Sequence, residues 1–350
     1  MIGPAAYQKT GFGAESLFLS HLRKKFPHFL YEIVELLYNI PAALRLIGAA
    51  RDFKPDFVYE RYNLFFFGGL ILKWIYGVPF HLEVNSPLAE ERASHGQLVF
   101  KRLGQRLEQY YWRKADHTYP VTGVIADQIA RLGVARATIT INQNGVDLAH
   151  YYPRASADQR PGSEIVLGFI GFMRQWHGID TVISFLAEKI EAPPLKLVLV
   201  GDGPARAELE EQADTLGIRE RVAFLGVVQR DDVPEVVGSF DIALQPRSVA
   251  HASPLKIFEY MALGRAIVAP DQPNIREVLC HERDALLFAP NNPKAMTAAI
   301  LRLASEPELR VRLGNAAREK IISRDYTWAG NAARVLAVAN TLPSRRWSHH

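Results

Sequence analysis

Two stretches of the sequence decide its fold, Ile165–Met173 (IVLGFIGFM) and Leu195–Pro204 (LKLVLVGDGP). Each contains a continuous apolar run followed by glycine, which is typical of a strand that is buried on both faces and ends in a tight turn. Each precedes a stretch with helical periodicity, Thr181–Ile190 and Ala205–Leu216. Buried strands that alternate with helices predict an α/β doubly wound domain with a parallel sheet.

The rest of the chain continues this alternation, regularly in the second half and less regularly in the first. We therefore predict two Rossmann-like doubly wound domains that face each other across a cleft. Second-half elements are the strands Val222–Leu225, Ile242–Gln245 and Ala266–Ala269 and the helix Pro254–Leu263. First-half elements are the strands Phe57–Glu60, Phe80–Val84, His117–Val121 and Ile139–Asn142 and the helical stretches Ser16–Arg51, Leu70–Tyr76, Leu98–Lys114 and Gly123–Leu132.

A polar, proline-bearing stretch, Tyr152–Ser163, is the best candidate for a linker. We accordingly place the first domain at residues 1–155 and the second at residues 164–326. The tail, residues 327–343, is predicted to form a helix that crosses back onto the first domain.

Composition excludes several classes of protein. A chain of 350 residues suggests two domains, and 48% hydrophobic with 22% charged residues excludes a disordered chain. Its net charge of +4 is much weaker than the footprint of a dedicated nucleic-acid binder. The single cysteine, Cys280, cannot form an internal disulfide, so a cytoplasmic location is expected. The residues after Met1 are polar, and we see no secretory signal.

One apolar segment, Leu64–Phe80, raises the question of a membrane span. It is shorter than the ~20 apolar residues that a spanning helix needs. Lys73 and three glycines also interrupt it. We expect a buried helix between two strands, whose apolar residues could still help an edge of the protein to touch a bilayer.

Several catalytic motifs are absent from the sequence. It has no Gly-Lys dipeptide, no His-Glu-x-x-His, no Gly-x-Ser-x-Gly and no complete Gly-x-Gly-x-x-Gly. It also lacks Asp-x-Asp, which argues against a diphosphate bridged to acidic residues by a metal. A diphosphate would therefore be neutralised by cations and helix ends.

The sequence Ser253-Pro254-Leu255-Lys256 has the features of such an anion site. Ser253 is a good N-cap, and Pro254 suits the first helical position. The free amides of a helix start, with Lys256, attract an anion. Glu259, one turn later, could accept hydrogen bonds from a sugar diol. The alternative is that Lys256 and Glu259 form an ordinary exposed ion pair.

A second candidate lies after the first strand of the second domain, in Gly171–Gly178 (GFMRQWHG). Its glycines would let the backbone approach a ligand, and Arg174 would present a fork suited to phosphate. The alternative is an ordinary turn with a solvated arginine. Gly201–Pro204 (GDGP) is a third turn of this kind.

Together these residues resemble the glycosyltransferase family 4 group of the GT-B fold, over nearly all of residues 55–330. Five matches in order are far more specific than any one motif. They are Asn144–Asp147 (NGVD), Val200–Pro204 (VGDGP), Phe224–Gly226 (FLG), Ser253–Gly264 (SPLKIFEYMALG) and Ala266–Ala269 (AIVA).

The resemblance implies an enzyme that binds a nucleotide-activated sugar, of the UDP or GDP type, in its second domain. It implies transfer with retention to a glycan or lipid-linked acceptor held by the first domain, without a metal or other cofactor. A role in polysaccharide or glycolipid assembly in the cytoplasm follows, with peripheral contact to the inner membrane face and no nucleic-acid partner.

The resemblance also implies roles for individual residues. Arg174 and Lys256 would be catalytic, since they would hold the diphosphate and stabilise it as a leaving group. Glu259 would bind the ribose hydroxyls. The other donor-side positions are Gly171 and Gly201, Gly226, Val227 and Val228 beside the base, and the backbone of Ser253, Pro254 and Leu255 beside the phosphates or sugar.

The sequence departs from the family pattern in three places. His251 stands where the family has the first of two spaced glutamates, which puts sugar recognition there in doubt. Phe172 and His177 stand at the usual Arg and Lys positions of the first phosphate loop. Gly11–Glu15 resembles the end of a glycine-rich loop, yet only ten residues precede it. Either the first strand is missing, or the loop match is due to chance and the true start lies upstream, and we expect the first half to be less stable.

The acceptor side is less specific. Polar residues lie at strand ends of the predicted first domain, and turn capping or salt bridges would explain each of them equally well. His95 and His117 are weaker candidates, since a surface or core histidine is the commoner case. The acceptor or sugar candidates are Glu60, Arg61, Glu83 and Asn85, together with His251.

Two other functions remain open. His251 and the short start suggest a non-catalytic nucleotide-binding relic or partner protein. The GT-B fold also includes nucleotide-sugar epimerases, which would act on a free nucleotide sugar without any acceptor.

Overall fold

The computed structural model describes residues 28–153, 164–188 and 193–342. Contacts divide the chain into two units. The first contains the described residues up to Asn142 and those from Arg334 on, and the second contains Gln143–Ala333. Each unit has its own parallel sheet, which confirms the predicted α/β class.

The second unit is built on a six-stranded sheet with the order β6-β5-β4-β7-β8-β9, in which every neighbouring pair is parallel. Its strands are β4 (Ile165–Ile170), β5 (Leu195–Val200), β6 (Val222–Gly226), β7 (Ile242–Leu244), β8 (Ala266–Pro270) and β9 (Leu286–Phe288). Its helices are α7 (Ile179–Leu186), α8 (Arg206–Thr215), α9 (Val233–Gly238), α10 (Leu255–Ala262), α11 (Pro273–Arg276), α12 (Pro293–Ser305), α13 (Pro307–Ser323) and the start of α14 (Trp328–Ala339).

Both faces of this sheet are covered by apolar clusters. Leu197 and Leu199 pack into one cluster, whereas the alternate residues Val198 and Val200 pack into the other. Successive strand residues point to opposite faces. The continuous apolar runs of the sequence therefore reflect strands buried on both sides, as predicted.

The first unit contains a three-stranded parallel sheet in the order β1-β2-β3. The predicted fourth strand, Ile139–Asn142, does not form a regular strand, although it runs beside β3 through a bridge between Thr118 and Ile139 and hydrogen bonds from Thr140 N and Asn142 N to β3 carbonyls. The strands are β1 (Val58–Arg61), β2 (Phe80–Val84) and β3 (His117–Pro120). The helices are α1 (His28–Leu37), α2 (Asn39–Phe53), α3 (Gly68–Tyr76), α4 (Leu88–Ser94), α5 (Lys101–Lys114) and α6 (Gly123–Arg131).

The boundary between the units lies earlier than the predicted linker. Val146 forms a parallel bridge with Thr327, and a Cβ on Gly145 would lie 2.5 Å from the carbonyl carbon of Thr327. Residues 143–153, predicted to belong to the first domain, therefore pack within the second unit. The rest of the predicted linker, 154–163, and the glycine loop Gly11–Glu15 lie outside the described residues, as does residue 343.

The apolar segment Leu64–Phe80 contains α3, between β1 and β2, with Leu70 and Leu72 buried. The predicted helix between two strands is confirmed, but only one face of it is buried, since Trp74 and Ile75 are 60% and 49% exposed. A different stretch, Phe29–Phe53, is long and apolar enough to cross a membrane; an 18-residue window within it has a mean hydropathy of 1.4 and is 11% buried. It comprises nearly all of α1 and α2.

The turns after β4 and β5 pack backbone against backbone. Gly201 has a φ of 114°, a conformation that favours glycine. A Cβ on Gly201 would lie 2.2 Å from the carbonyl oxygen of Gly171. Gly201 N also donates a 2.7 Å hydrogen bond to Gly226 O. The ends of three strands are therefore held together at a contact that leaves no room for a side chain.

The substitution Gly201→Ala should lower the free energy of unfolding by at least ~2 kcal/mol, because it adds both a backbone clash and an unfavourable φ. Urea denaturation followed by circular dichroism measures this. Gly238→Ala is the control, since nothing lies within 4 Å of the Cβ it would add. Equal stability of the two variants would contradict the close packing described for Gly201.

Candidate functional site

The predicted donor-side residues meet at the carboxyl edge of the second unit's sheet. Strands β6, β5, β4 and β7 are neighbours, so the turns that follow them lie side by side. Gly171 N donates to Val200 O at 2.9 Å. A Cβ on Gly171 would lie 3.0 Å from the Lys256 Nζ. Residues far apart in sequence are thus brought to one edge, where α/β sheets bind their ligands.

The ammonium of Lys256 is held against an aromatic ring. Its Nζ lies 3.6 Å from the centroid of the Phe169 ring, a cation–π contact. Burial lowers the pKa of Lys256 to about 7, although the Glu259 carboxylate acts in the opposite direction. The site therefore contains a cation that has lost much of its water and that an anion would stabilise.

The carboxylate of Glu259 is hydrogen-bonded within the second unit. Its Oε1 accepts a 3.0 Å hydrogen bond from the hydroxyl of Tyr151. Burial raises the pKa of Glu259, whereas Tyr151, Lys256 and Arg230 act to lower it. Glu259 and Lys256 are both partly buried, so the alternative of an exposed surface ion pair is wrong.

Arg174 and His177 lie on the turn after β4. Arg174 is exposed, and its guanidinium lies 5.0 Å from the centre of the Phe172 ring. His177 is buried, and its Nδ1 accepts a hydrogen bond from Arg174 N. Burial, with the nearby charges of Lys256 and Arg174, lowers the pKa of His177 to about 3. His177 is therefore neutral, and the positive charge of this turn is carried by Arg174.

The helix start after β7 differs from the prediction by one residue. Helix α10 begins at Leu255, and Pro254 is its N-cap, with an extended ψ of 115°. Ser253 is therefore not the N-cap. Its carbonyl oxygen accepts a 2.6 Å hydrogen bond from Asn144 Nδ2, which holds the residue outside the helix, and its buried Oγ finds no hydrogen-bond partner within the described part of the chain.

Buried side-chain amides hold the loop that leads into α10. Asn274 Nδ2 donates to Val249 O at 3.1 Å and to Ala252 O at 2.7 Å. Gln245 Nε2 donates to Arg247 O. Together with Asn144, these amides fix residues 247–253, the loop that carries His251. We call the three the amide clamp.

The turn after β6 completes this edge. Gly226 ends the strand with a φ of 71°. Val227 is 78% exposed, whereas Val228 is partly buried against an apolar cluster. The exposed Val227 offers a flat apolar surface beside the strand ends.

The predicted acceptor residues of the first unit are used largely by the protein itself. Glu60 accepts hydrogen bonds from Gly69 N at 2.5 Å and from the Tyr111 hydroxyl at 2.6 Å. It therefore caps the start of α3, and burial raises its pKa to about 7. The contacts of Glu60 therefore match the alternative that it caps a turn.

Arg61 and Glu83 match the other alternative, because they form a salt bridge in which Arg61 Nε lies 4.0 Å from Glu83 Oε1. Glu83 also accepts a hydrogen bond from the Tyr59 hydroxyl. Asn85 differs, because its Oδ1 is buried and has no hydrogen-bond partner among the described residues. His251 lies in the second unit, apart in the chain from these four.

The two weaker histidine candidates are bonded locally. His95 is exposed and its Nδ1 lies 2.8 Å from Glu91 O, whereas His117 is buried with its Nε2 2.8 Å from Thr140 Oγ1. Within the described ranges, no group of three or more His, Cys, Asp or Glu side chains could hold a metal ion.

Sequence reasoning missed the residues that support the site from a distance. In the sequence, Phe169 and Tyr151 look like ordinary core aromatics, and Asn274 lies in no recognised motif. Each acts on a partner at least 22 positions away in the chain. No local pattern marks such contacts.

Two family profiles match the chain. The profile described as Glycosyl transferases group 1 matches residues 155–320, and the profile described as Glycosyltransferase Family 4 matches residues 9–150. The two matches together cover most of the sequence, one on each side of residue 150.

Similar proteins are glycosyltransferases. An uncharacterized glycosyltransferase of Methanocaldococcus jannaschii is 28% identical over 50% of this chain and 44% of its own length. A sulfoquinovosyl transferase of Arabidopsis thaliana is 23% identical over 89% of this chain and 61% of its own length. This chain therefore spans less than two thirds of either relative. A GDP-mannose-dependent alpha-mannosyltransferase of Mycolicibacterium smegmatis is 26% identical over 85% of this chain and 76% of its own.

Solved structures show the same fold. Anabaena HepE in complex with UDP and glucose superposes with a TM-score of 0.72 at 19% identity, over 86% of this chain and 81% of that one. Sucrose-phosphate synthase from Thermosynechococcus elongatus gives a TM-score of 0.72 at 20% identity, over 84% and 75%. These likenesses confirm the predicted GT-B fold.

The substitution Asn274→Ala should speed amide hydrogen exchange in residues 249–253, because both hydrogen bonds to that loop are lost. It should also lower the free energy of unfolding by ~1–3 kcal/mol. Exchange read by mass spectrometry measures the first effect. Asn315→Ala, an exposed position in α13, is the control. Unchanged exchange in the loop would show that the amide clamp does not hold it.

Proposed function

This chain belongs to the glycosyltransferase family 4 group, and we propose that it transfers a sugar from a nucleoside diphosphate sugar, of the UDP or GDP type, to a glycan or lipid-linked acceptor. In this proposal the second unit, Gln143–Ala333, binds the donor and the first unit binds the acceptor. Transfer proceeds with retention of configuration and without a metal.

The observation that carries the proposal is the partly dehydrated ammonium of Lys256 at the carboxyl edge of the sheet. Such a cation is costly to keep in a protein without an anion beside it. Lys256 lies in the first turn of α10, where the free amides and the helix dipole also favour negative charge. A diphosphate would satisfy all of these groups.

The chemical step breaks the bond between the anomeric carbon and the oxygen of the β-phosphate. The electron pair stays on that oxygen, which takes up the proton of the acceptor hydroxyl as the hydroxyl oxygen forms the new bond to the anomeric carbon. Lys256 and Arg174 stabilise the charge that develops on the leaving diphosphate, which is the largest type of contribution in such reactions. Because two cations and a helix end supply this charge, we propose that no metal is needed.

Glu259 supplies nucleotide recognition. Its Oε1 is bonded to the Tyr151 hydroxyl, which orients the carboxylate, and the other oxygen is available to a ribose hydroxyl. Val227 and Val228 would lie along the base, and the backbone of residues 253–255 along the phosphates. The complex of HepE with UDP and glucose and the GDP-mannose dependence of a relative support a donor of this class.

We propose a cytoplasmic location for this activity, with peripheral contact to the inner membrane face, in polysaccharide or glycolipid assembly. One relative of Mycobacterium tuberculosis, 28% identical over 71% of this chain, is a phosphatidylinositol dimannoside mannosyltransferase, which supports a lipid-linked acceptor.

A second candidate function follows from His251. If the missing glutamate is essential for sugar recognition, the chain would bind a nucleotide without transferring a sugar. Thermal-shift titration with UDP, GDP, ADP, TDP and their sugar conjugates, with and without magnesium, identifies the nucleotide that binds, and a product assay on the same mixtures separates the two functions. Sugar transfer or donor hydrolysis supports the enzyme, whereas nucleotide binding alone supports the relic. Interconversion of a free nucleotide sugar would instead indicate an epimerase.

The substitution Lys256→Ala should reduce kcat by ~10²–10³, the scale of losing one transition-state donor. Its fold should persist, as circular dichroism would show. Lys196→Ala is the matched control, because Lys196 lies on β5 and pairs with Glu164. A turnover rate equal to that of the control would contradict the role of Lys256.

Donor binding should take up a proton at pH 8. At that pH Lys256, with a pKa of about 7, is mostly neutral, and a bound diphosphate raises its pKa towards the ordinary value. The affinity for UDP or GDP should therefore fall as the pH rises from 7 to 9. Calorimetry in buffers of different ionisation heat measures the uptake. It should vanish in Lys256→Met and persist in Lys196→Met; uptake that survives in Lys256→Met would assign the proton to another group.

A further inference from the structure

The first two helices present an uninterrupted apolar stripe to solvent. It consists of Phe29, Ile33, Leu37, Ile40 and Leu44, which are between 38% and 67% exposed. Their spacing of four, four, three and four residues places them on one face of a continuous helix. A contiguous exposed apolar surface, unlike scattered apolar residues, is typical of an interaction site.

The carboxylates of the same helix are turned towards the protein. Glu32 is buried and accepts hydrogen bonds from the backbone nitrogens of Val99 and Phe100. Glu35 pairs with Arg92 at 2.9 Å. From Phe29 to Arg45, the exposed charged side chain is therefore that of Arg45. Glu32 and Glu35 therefore attach the helix to the first unit, and the exposed carboxylate of this stretch, Asp52, lies beyond the apolar stripe near the end of α2.

A basic segment, residues 99–106, lies next to this helix. The hydrogen bonds from Val99 and Phe100 to Glu32 place its start there. Lys101, Arg102 and Arg106 are all exposed. The exposed apolar residues of the segment are Val99, Phe100 and Leu103. Cations and apolar side chains therefore alternate beside the apolar stripe.

We propose that the apolar stripe and the basic segment together dock the first unit onto an anionic lipid bilayer, with α1 and α2 lying in the plane of the interface. Apolar side chains enter the headgroup and acyl boundary, while Lys and Arg side chains bind anionic headgroups. This charge pattern favours anionic lipid over a second protein copy, which would place the same cations against each other.

The helix lies on the membrane rather than across it. Although Phe29–Phe53 is long and apolar enough to span a bilayer, its inner side is occupied by protein. Glu32 and Glu35 are bonded within the first unit, and Leu46 contacts the start of α3, where a Cβ on Gly68 would lie 2.7 Å from Leu46 Cδ1. A spanning helix would have to break all of these contacts.

Vesicle binding of the full chain tests this proposal. Co-sedimentation is measured with vesicles of phosphatidylcholine alone and of phosphatidylcholine with phosphatidylglycerol. We expect strong binding to the anionic vesicles only. The double variant Ile40→Glu with Leu44→Glu should bind at least ~10-fold more weakly, since it places charge in the acyl boundary. Lys101→Gln with Arg102→Gln should reduce binding to anionic vesicles by ~10-fold or more.

The matched control is Val311→Glu with Ile322→Glu, two similarly exposed apolar residues of α13 in the second unit. It should bind vesicles as the wild type does. Thermal unfolding and UDP or GDP binding, measured on every variant, separate misfolding and failure of the proposed function from failure of docking.

Three outcomes would overturn the proposal. The first is that the wild type binds neither kind of vesicle. The second is that the variant Ile40→Glu with Leu44→Glu binds as well as the control. The third is that light scattering shows a wild-type dimer that this variant dissociates, which would assign the stripe to a second copy of the chain.

Discussion

The contact between the Gly171 carbonyl and Gly201, at the carboxyl edge of the second unit's sheet, is the constraint on which the candidate site depends. Because neither turn carries a side chain there, the strand ends approach until backbone meets backbone. The Lys256 ammonium can then come close to Gly171 and to the Phe169 ring. The low pKa of Lys256 follows from this approach, since the same lysine on an open helix start would keep its water.

The polar groups of this edge combine two cations with the carboxylate of Glu259. Lys256 and Arg174 bring positive charge, and His177 is kept neutral by burial beside them. Glu259 is bonded to Tyr151 and cannot neutralise both cations. An anion with several oxygens would relieve the dehydration of Lys256 and bind Arg174 at the same time. Family membership and site chemistry therefore point to the same class of ligand, a nucleoside diphosphate.

The first unit uses its carboxylates differently. Glu32, Glu60 and Glu108 each accept hydrogen bonds from backbone amides and thereby hold helices to the unit. These three carboxylates are therefore bonded within the unit rather than directed at solvent or a ligand. The exposed stripe from Phe29 to Leu44 is apolar, with cations beside it. The two units therefore differ in what they expose, glycine turns with Lys256 and Arg174 in one and an apolar, cationic surface in the other.

The sequence by itself determined the parallel sheets, the glycine turns and, to within one residue, the helix start at Leu255. These are local consequences of backbone geometry: a strand buried on both faces is apolar throughout, and a close backbone approach demands glycine. Only the tertiary structure decided which polar groups are free to act. The sequence predicts Glu60 as a ligand-binding residue, but Glu60 caps α3. Tyr151 and Asn274 lie in no predicted motif, but they bind Glu259 and the loop before α10. Hydration and hydrogen-bond partners depend on distances in space between residues far apart in the chain, which no local pattern records.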